Sequence, residues 1–88
     1  MMKRGLMATT RFYPAKFEKE ENVYNVTFRD VPEANTCGDD FEDALEMAAD
    51  ALLVSMDFYI EDGRAIPMPS EAKHGEVMIA LPENNIFP

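Results

Sequence analysis

The alternation of apolar and polar positions changes period along this chain, and the change separates strands from a helix. From Arg11 to Glu18 the period is two, with Tyr13, Ala15 and Phe17 on one face and Lys16 and Glu18 on the other. Pro14 has no N–H to give to a ladder, so it belongs at an outward-facing position or near the strand start. Lys19–Asn22 is a charged tip in which Asn22 is the expected residue of positive φ. Val23–Phe28 resumes the alternation, with Tyr24, Val26 and Phe28 opposed to Asn25 and Thr27, and the two runs read as a hairpin. Arg29-Asp30-Val31-Pro32 bends the chain, and Ala34–Cys37 is expected to form a brief third strand.

After Gly38-Asp39-Asp40 the spacing becomes helical. Phe41, Leu45, Ala48, Leu52, Met56 and Tyr59 recur every three or four residues, which predicts a helix from Phe41 to Ile60 with Ala44 and Ala51 widening its stripe. Glu42, Asp43, Glu46, Asp50 and Asp57 lie mostly off that stripe. Asp39 or Asp40 can cap the first turn, with an acid three residues on, as a capping box requires. Gly63 is the expected left-handed residue past the helix end. Ile66-Pro67-Met68-Pro69-Ser70 must be extended, because two prolines exclude helix. Val77–Leu81 is a last strand, with Val77, Ile79 and Leu81 on one face.

The fold class is therefore α+β: a two-layer β-β-β-α-β unit with one helix packed on a small mixed sheet. A helical crossover predicts a last strand parallel to the first and a right-handed connection. The expected core is Tyr24, Val26, Phe28, Leu45, Ala48, Leu52 and Met56. One helix covers one sheet face, which leaves Phe12, Val23, Met78 and Ala80 toward an open side. Such a face is often finished by a second copy or another protein, so a homodimer or higher homo-oligomer is expected.

Composition narrows the function. The chain has 88 residues, enough for one domain, with residues 1–10 expected as a loose extension, 11–81 as the domain and 82–88 as a short tail. Hydrophobic residues make up 47%, which argues against disorder despite a net charge of −9. Seventeen acids against eight lysines and arginines repel phosphate, which argues against nucleic-acid binding by this chain and for a basic protein partner. No apolar run approaches the ~20 residues of a membrane span. Cys37 is the single cysteine, which suits a reducing compartment and a cytoplasmic location.

Candidate chemistry is sparse. His74 stands alone between Lys73 and Gly75 and reads as a solvated loop residue. Cys37 reads as a packed small residue, and Met47, Met56, Met68 and Met78 as core filler rather than a soft-metal site. The acids from Asp39 to Glu46 lack the alternating ligands of a calcium loop. No cofactor, metal site or catalytic residue is expected. For a two-metal nuclease, Glu18 and Asp30 are the best available pair of carboxylates.

The stretch Phe12-Tyr13-Pro14-Ala15-Lys16-Phe17-Glu18, followed by Val23 to Ala34 with its Phe28-Arg29-Asp30-Val31-Pro32 ending, resembles the opening of HicB antitoxins. Thr36-Cys37-Gly38-Asp39 resembles that family's approach to its helix. Glu42–Ala48 with Ala51-Leu52-Leu53 resembles its helix core, and Asp57–Asp62 with Ile66–Ser70 is similar to the segments after the helix core in its enterobacterial branch. The resemblance runs from about Arg11 to Leu81 and lies in the order and spacing of these elements together. It implies a partial RNase H-like fold and a toxin-binding role. The implied partner is HicA, a small basic ribonuclease whose cleavage of mRNA the antitoxin blocks by covering its active site. A typical member also carries a carboxy-terminal DNA-binding domain. Only Pro82–Pro88 follow Leu81, so either a shortened chain or a natural single-domain relative is expected. Exposed residues near the helix start, Glu33, Asn35, Thr36, Asp39 and Asp40, are the expected partner contacts. The alternative is a stand-alone oligomerisation or regulatory module without a toxin.

Overall fold

A computed structural model describes residues 10–82. Five of its elements are the expected ones: β1 (Thr10–Glu20), β2 (Val23–Phe28), β3 (Thr36–Gly38), α1 (Phe41–Glu61) and β4 (Glu76–Pro82). A short 3-10 helix, Pro32–Ala34, precedes β3. Thr10 and Pro82 thus belong to strands, while the rest of the expected extension and tail lies outside the described residues.

The hairpin closes with Glu20 opposite Val23, and its left-handed residue is Glu21 (φ 52°) rather than Asn22. Sheet order is β3-β2-β1-β4, and every pairing is antiparallel. The expected mixed sheet, with β4 parallel to β1, is therefore wrong in its direction. The helix alone would have delivered the chain for a parallel strand. Instead the fourteen residues 62–75 carry it back along the helix, so the connection crosses the sheet twice.

β1 is shared between its neighbours. Its last six residues pair with β2, from Ala15 opposite Phe28 to Glu20 opposite Val23. Its first seven pair with β4, from Thr10 opposite Pro82 to Lys16 opposite Glu76. Pro14 lies one position beyond the β2 pairing, where that edge offers no ladder partner, and its alternation with Tyr13 and Ala15 turns it away from the helix as expected, although its side chain is buried.

The core lies between the sheet and α1. Tyr13, Ala15, Val26, Phe28, Ile79 and Leu81 from the sheet meet Ala44, Ala48, Leu52, Met56 and Tyr59 from the helix. Tyr24 and Leu45 are only partly buried at its margin, because they sit where the sheet runs out beneath the helix. Val31 and Ala34 seal the end beneath the 3-10 helix. The other sheet face is open, as expected, with Phe12 49% and Met78 38% exposed. Cys37 lies on that face opposite Asn25 and is exposed, not packed. Of the four methionines expected in the core, Met56 alone is buried.

The helix starts and stops on local chemistry. Asp40, extended at φ −142°, accepts a hydrogen bond from Asp43 N–H (2.7 Å), and the Asp43 carboxylate accepts one from Asp39 N–H (2.9 Å). At the far end Gly63 adopts φ 71°, its N–H donates to the Ile60 carbonyl, and Arg64 N–H donates to the Tyr59 carbonyl. That pair of bonds is a Schellman closure, and the left-handed residue it needs is the glycine.

Candidate functional site

The five residues expected to contact a partner do not form one patch. Glu33 and Asn35 lie toward the carboxy-terminal end of α1, and Asp39 and Asp40 at its amino-terminal end, with Thr36 on β3 between them. Four of the five also take part in the fold. Asn35 Oδ1 accepts from Phe28 N–H (3.1 Å), closing the bend between β2 and β3. Asp40 and Asp39 serve the helix cap. Glu33 accepts from the Tyr59 hydroxyl and pairs with Arg64 at 3.5 Å, while the Arg64 guanidinium lies 4.3 Å from the Tyr59 ring centroid. The Tyr59 hydrogen bond holds the Glu33 carboxyl below its ordinary pKa, and burial, followed by the bond to Glu33, raises that of Tyr59.

Nearby, a polar latch fastens the 62–75 connection to the sheet. Arg29 donates to both carboxylate oxygens of Glu76, each at 3.0 Å, and also to Ser70 Oγ and the Glu71 carbonyl. Ser70 donates to Asp30 through its N–H (2.8 Å) and its hydroxyl (2.7 Å), and Lys73 N–H donates to Glu76. The Tyr13 hydroxyl adds a bond to the Pro67 carbonyl (2.7 Å). The Arg29 hydrogen bond lowers the pKa of Glu76, and the same bond raises that of Arg29. Asp30 is thus committed to Ser70, whereas Glu18 pairs with Lys16 (3.3 Å) on the hairpin. The two carboxylates proposed for a metal site are not brought together. Among the described residues no group of three or more His, Cys, Asp or Glu converges on a metal position.

What the fold leaves free is surface. The helix Phe41–Glu61 carries Glu42, Asp43, Glu46, Asp50, Asp57 and Glu61 and no lysine, arginine or histidine. Of the five large apolar side chains that this helix exposes, three share one flank beside the acids: Met47 40%, Val54 45% and Phe58 53%. The sequence shows each of these as an apolar residue but gives no sign that the sheet is too narrow to cover them. No helix of the described residues is long and apolar enough to cross a membrane. The arrangement offers recognition of a basic, partly apolar surface.

The family model for the HicB-like antitoxin of bacterial toxin–antitoxin systems matches residues 12–85. Antitoxin HicB 2 of Photorhabdus laumondii is 49% identical over 76 residues, covering 86% of this chain and 53% of that protein. Antitoxin HicB 1 of the same organism is 47% identical over 70 residues, 78% of this chain and 45% of that protein. Antitoxin HicB of Escherichia coli is 45% identical over 62 residues, 70% of this chain and 45% of that protein. The chain spans about half the length of the curated relatives it matches.

Proposed function

The chain belongs to the HicB-like antitoxin family, and from that premise we propose that it neutralises a small basic HicA-type ribonuclease toxin in the cytoplasm by occluding the surface that takes mRNA. The observation that carries this reading is the helix with six acids and no base, in a chain of net charge −9. Such a surface repels phosphate and attracts a protein that itself binds phosphate, so it competes with RNA for the same cationic groups. The chain does no chemistry and needs no cofactor in this role; it acts by binding.

The test is a cleavage assay with purified toxin and chain. An equimolar amount of chain should abolish RNA cleavage. Inhibition should weaken as salt rises, since charges beyond ~8 Å are screened at physiological ionic strength. Full cleavage in the presence of excess chain would exclude the reading.

A second role rests on the open sheet face. Exposed Phe12, Met78 and Ala80 sit together there on the paired halves of β1 and β4. We propose that this face joins two copies of the chain, consistent with the prevalence of two-fold dimers. Light scattering at tens of micromolar should report a dimer that Phe12→Ser with Met78→Ser returns to monomer. A wild-type chain that stays monomeric excludes it.

A further inference from the structure

We infer that the toxin docks on the flank of α1 that overhangs β3, through an apolar ledge of Met47, Val54 and Phe58 bordered by Asp50, Asp57 and Glu61. The inference rests on the antitoxin reading and gives it a place on the molecule. Positions 47, 54 and 58 fall within roughly 40° of arc on an α-helix. Positions 50, 57 and 61 form the next row, turned away from the sheet. The order around the helix is therefore core, apolar ledge, acidic row.

The sheet shows why the ledge is left uncovered. Ala44 meets Gly38 of β3, so the side of the helix next to Ala44 is the side beyond that edge strand. β3 has three residues, and β2 is its single neighbour. Among the described residues no further strand lies under Met47, Val54 or Phe58, and each is between two-fifths and just over half exposed. An apolar patch rimmed by like charges marks a protein-binding surface. The acids select the occupant. A second copy of this chain would bring two acidic rows together, which like-charge repulsion opposes. A small basic protein meets the row with opposite charge and the ledge with its own apolar surface.

The experiment measures binding of the 88-residue chain to its cognate small basic HicA-type toxin, in a nuclease-inactive form. Val54→Ser with Phe58→Ser should weaken binding by about 30-fold or more, the loss typical of a pair of central anchors. Asp50→Asn with Asp57→Asn should slow association and flatten its salt dependence, with the dissociation rate little changed. Met68→Ser, on the return connection and 71% exposed, should leave affinity unchanged. A readout that needs no variant is peroxide oxidation followed by mass spectrometry: toxin should slow oxidation of Met47 and not of Met68. If wild type binds, but the Val54/Phe58 variant binds within about three-fold of it or Met47 is unprotected, the docking site is overturned and the antitoxin reading stands. If wild type does not bind, the antitoxin reading falls and takes the site with it.

Discussion

At its amino-terminal end α1 meets the sheet through backbone, and at its carboxy-terminal end through side chains drawn from distant segments. A Cβ on Gly38 would lie 2.5 Å from both Ala44 Cα and Ala44 N, so strand and helix touch there with no room for a side chain. Phe41 extends the same contact with ring centroids 5.1 Å from Phe17 and 5.8 Å from Tyr24. At the other end Tyr59, Glu33 and Arg64 form one polar cluster, and farther along the return connection Arg29, Asp30, Ser70 and Glu76 form another where that connection meets the sheet. The first kind of fastening tolerates no change of shape. The second bends with side-chain rotamers and responds to pH and salt. A helix held this way is fixed where it leaves β3 and adjustable where the return connection begins.

The largest expected effect breaks the rigid end. Gly38→Ala places a methyl group into backbone atoms that cannot rotate away, so the strand or the helix must shift. A forced shift of this kind costs about 1–3 kcal/mol. Urea unfolding of the variant should show that loss. A variant as stable as wild type would mean that the two backbones separate freely, and the distinction between the ends would disappear.

A smaller change sharpens the comparison at the same end. Asp40→Ala removes the acceptor for Asp43 N–H and should cost about 1 kcal/mol. Asp40→Asn keeps an acceptor at the cap and should cost far less, while removing one negative charge. The pair separates the capping role of Asp40 from any contact with a partner. If Asp40→Asn weakens toxin binding at unchanged stability, Asp40 is part of the interface as well as the cap.

The two ends also differ in how far the sequence reveals them. The hairpin, the helix with its cap, and Gly63 are legible because their signals are local: a period of two, a period near 3.6, an acid three residues after another, a glycine where φ must be positive. The face assignments of β1, β2 and β4 come from the same periods. The direction of β4 is not legible, because it depends on how the 62–75 connection travels. That path is set by pairs such as Asp30–Ser70 and Arg29–Glu76, which are 40 and 47 residues apart and belong to no periodic pattern. Gly38 is visible only as a break, since close approach of Ala44 is a tertiary fact. Met47 reads as core filler from its side-chain type, and Val54 and Phe58 stay unmarked, for a related reason: helical spacing shows how wide an apolar stripe is, not how much sheet lies beneath it. As for the site residues, sequence places Glu33, Asn35, Asp39 and Asp40 near the helix start, but it cannot show that the 3-10 helix carries Glu33 to the opposite end.

The smallest effect tests the side-chain fastening where the return connection meets the sheet. Arg29 and Lys73 N–H hold Glu76 below its ordinary pKa near 4.5. A carboxylate with a lowered folded-state pKa stabilises the fold above its unfolded value, and the stabilisation is lost as pH falls through the lowered value. Glu76→Gln should therefore be less stable than wild type at pH 7, and the gap should narrow as pH drops below about 4.5, where wild type loses the same charge. The change should be modest, because Arg29 is partly solvated and exposed ion pairs contribute little. Amide exchange gives the finer reading. The Lys73 N–H, which donates to Glu76, and the Ser70 N–H, joined to it through Arg29, should exchange faster in the variant. The Asp43 and Ala44 amides at the rigid end should keep wild-type rates. A stability gap that stays constant from about pH 7 to about pH 3 would show that shape rather than charge holds the connection, and equal acceleration at both sites would show that the connection and the start of α1 open as one unit.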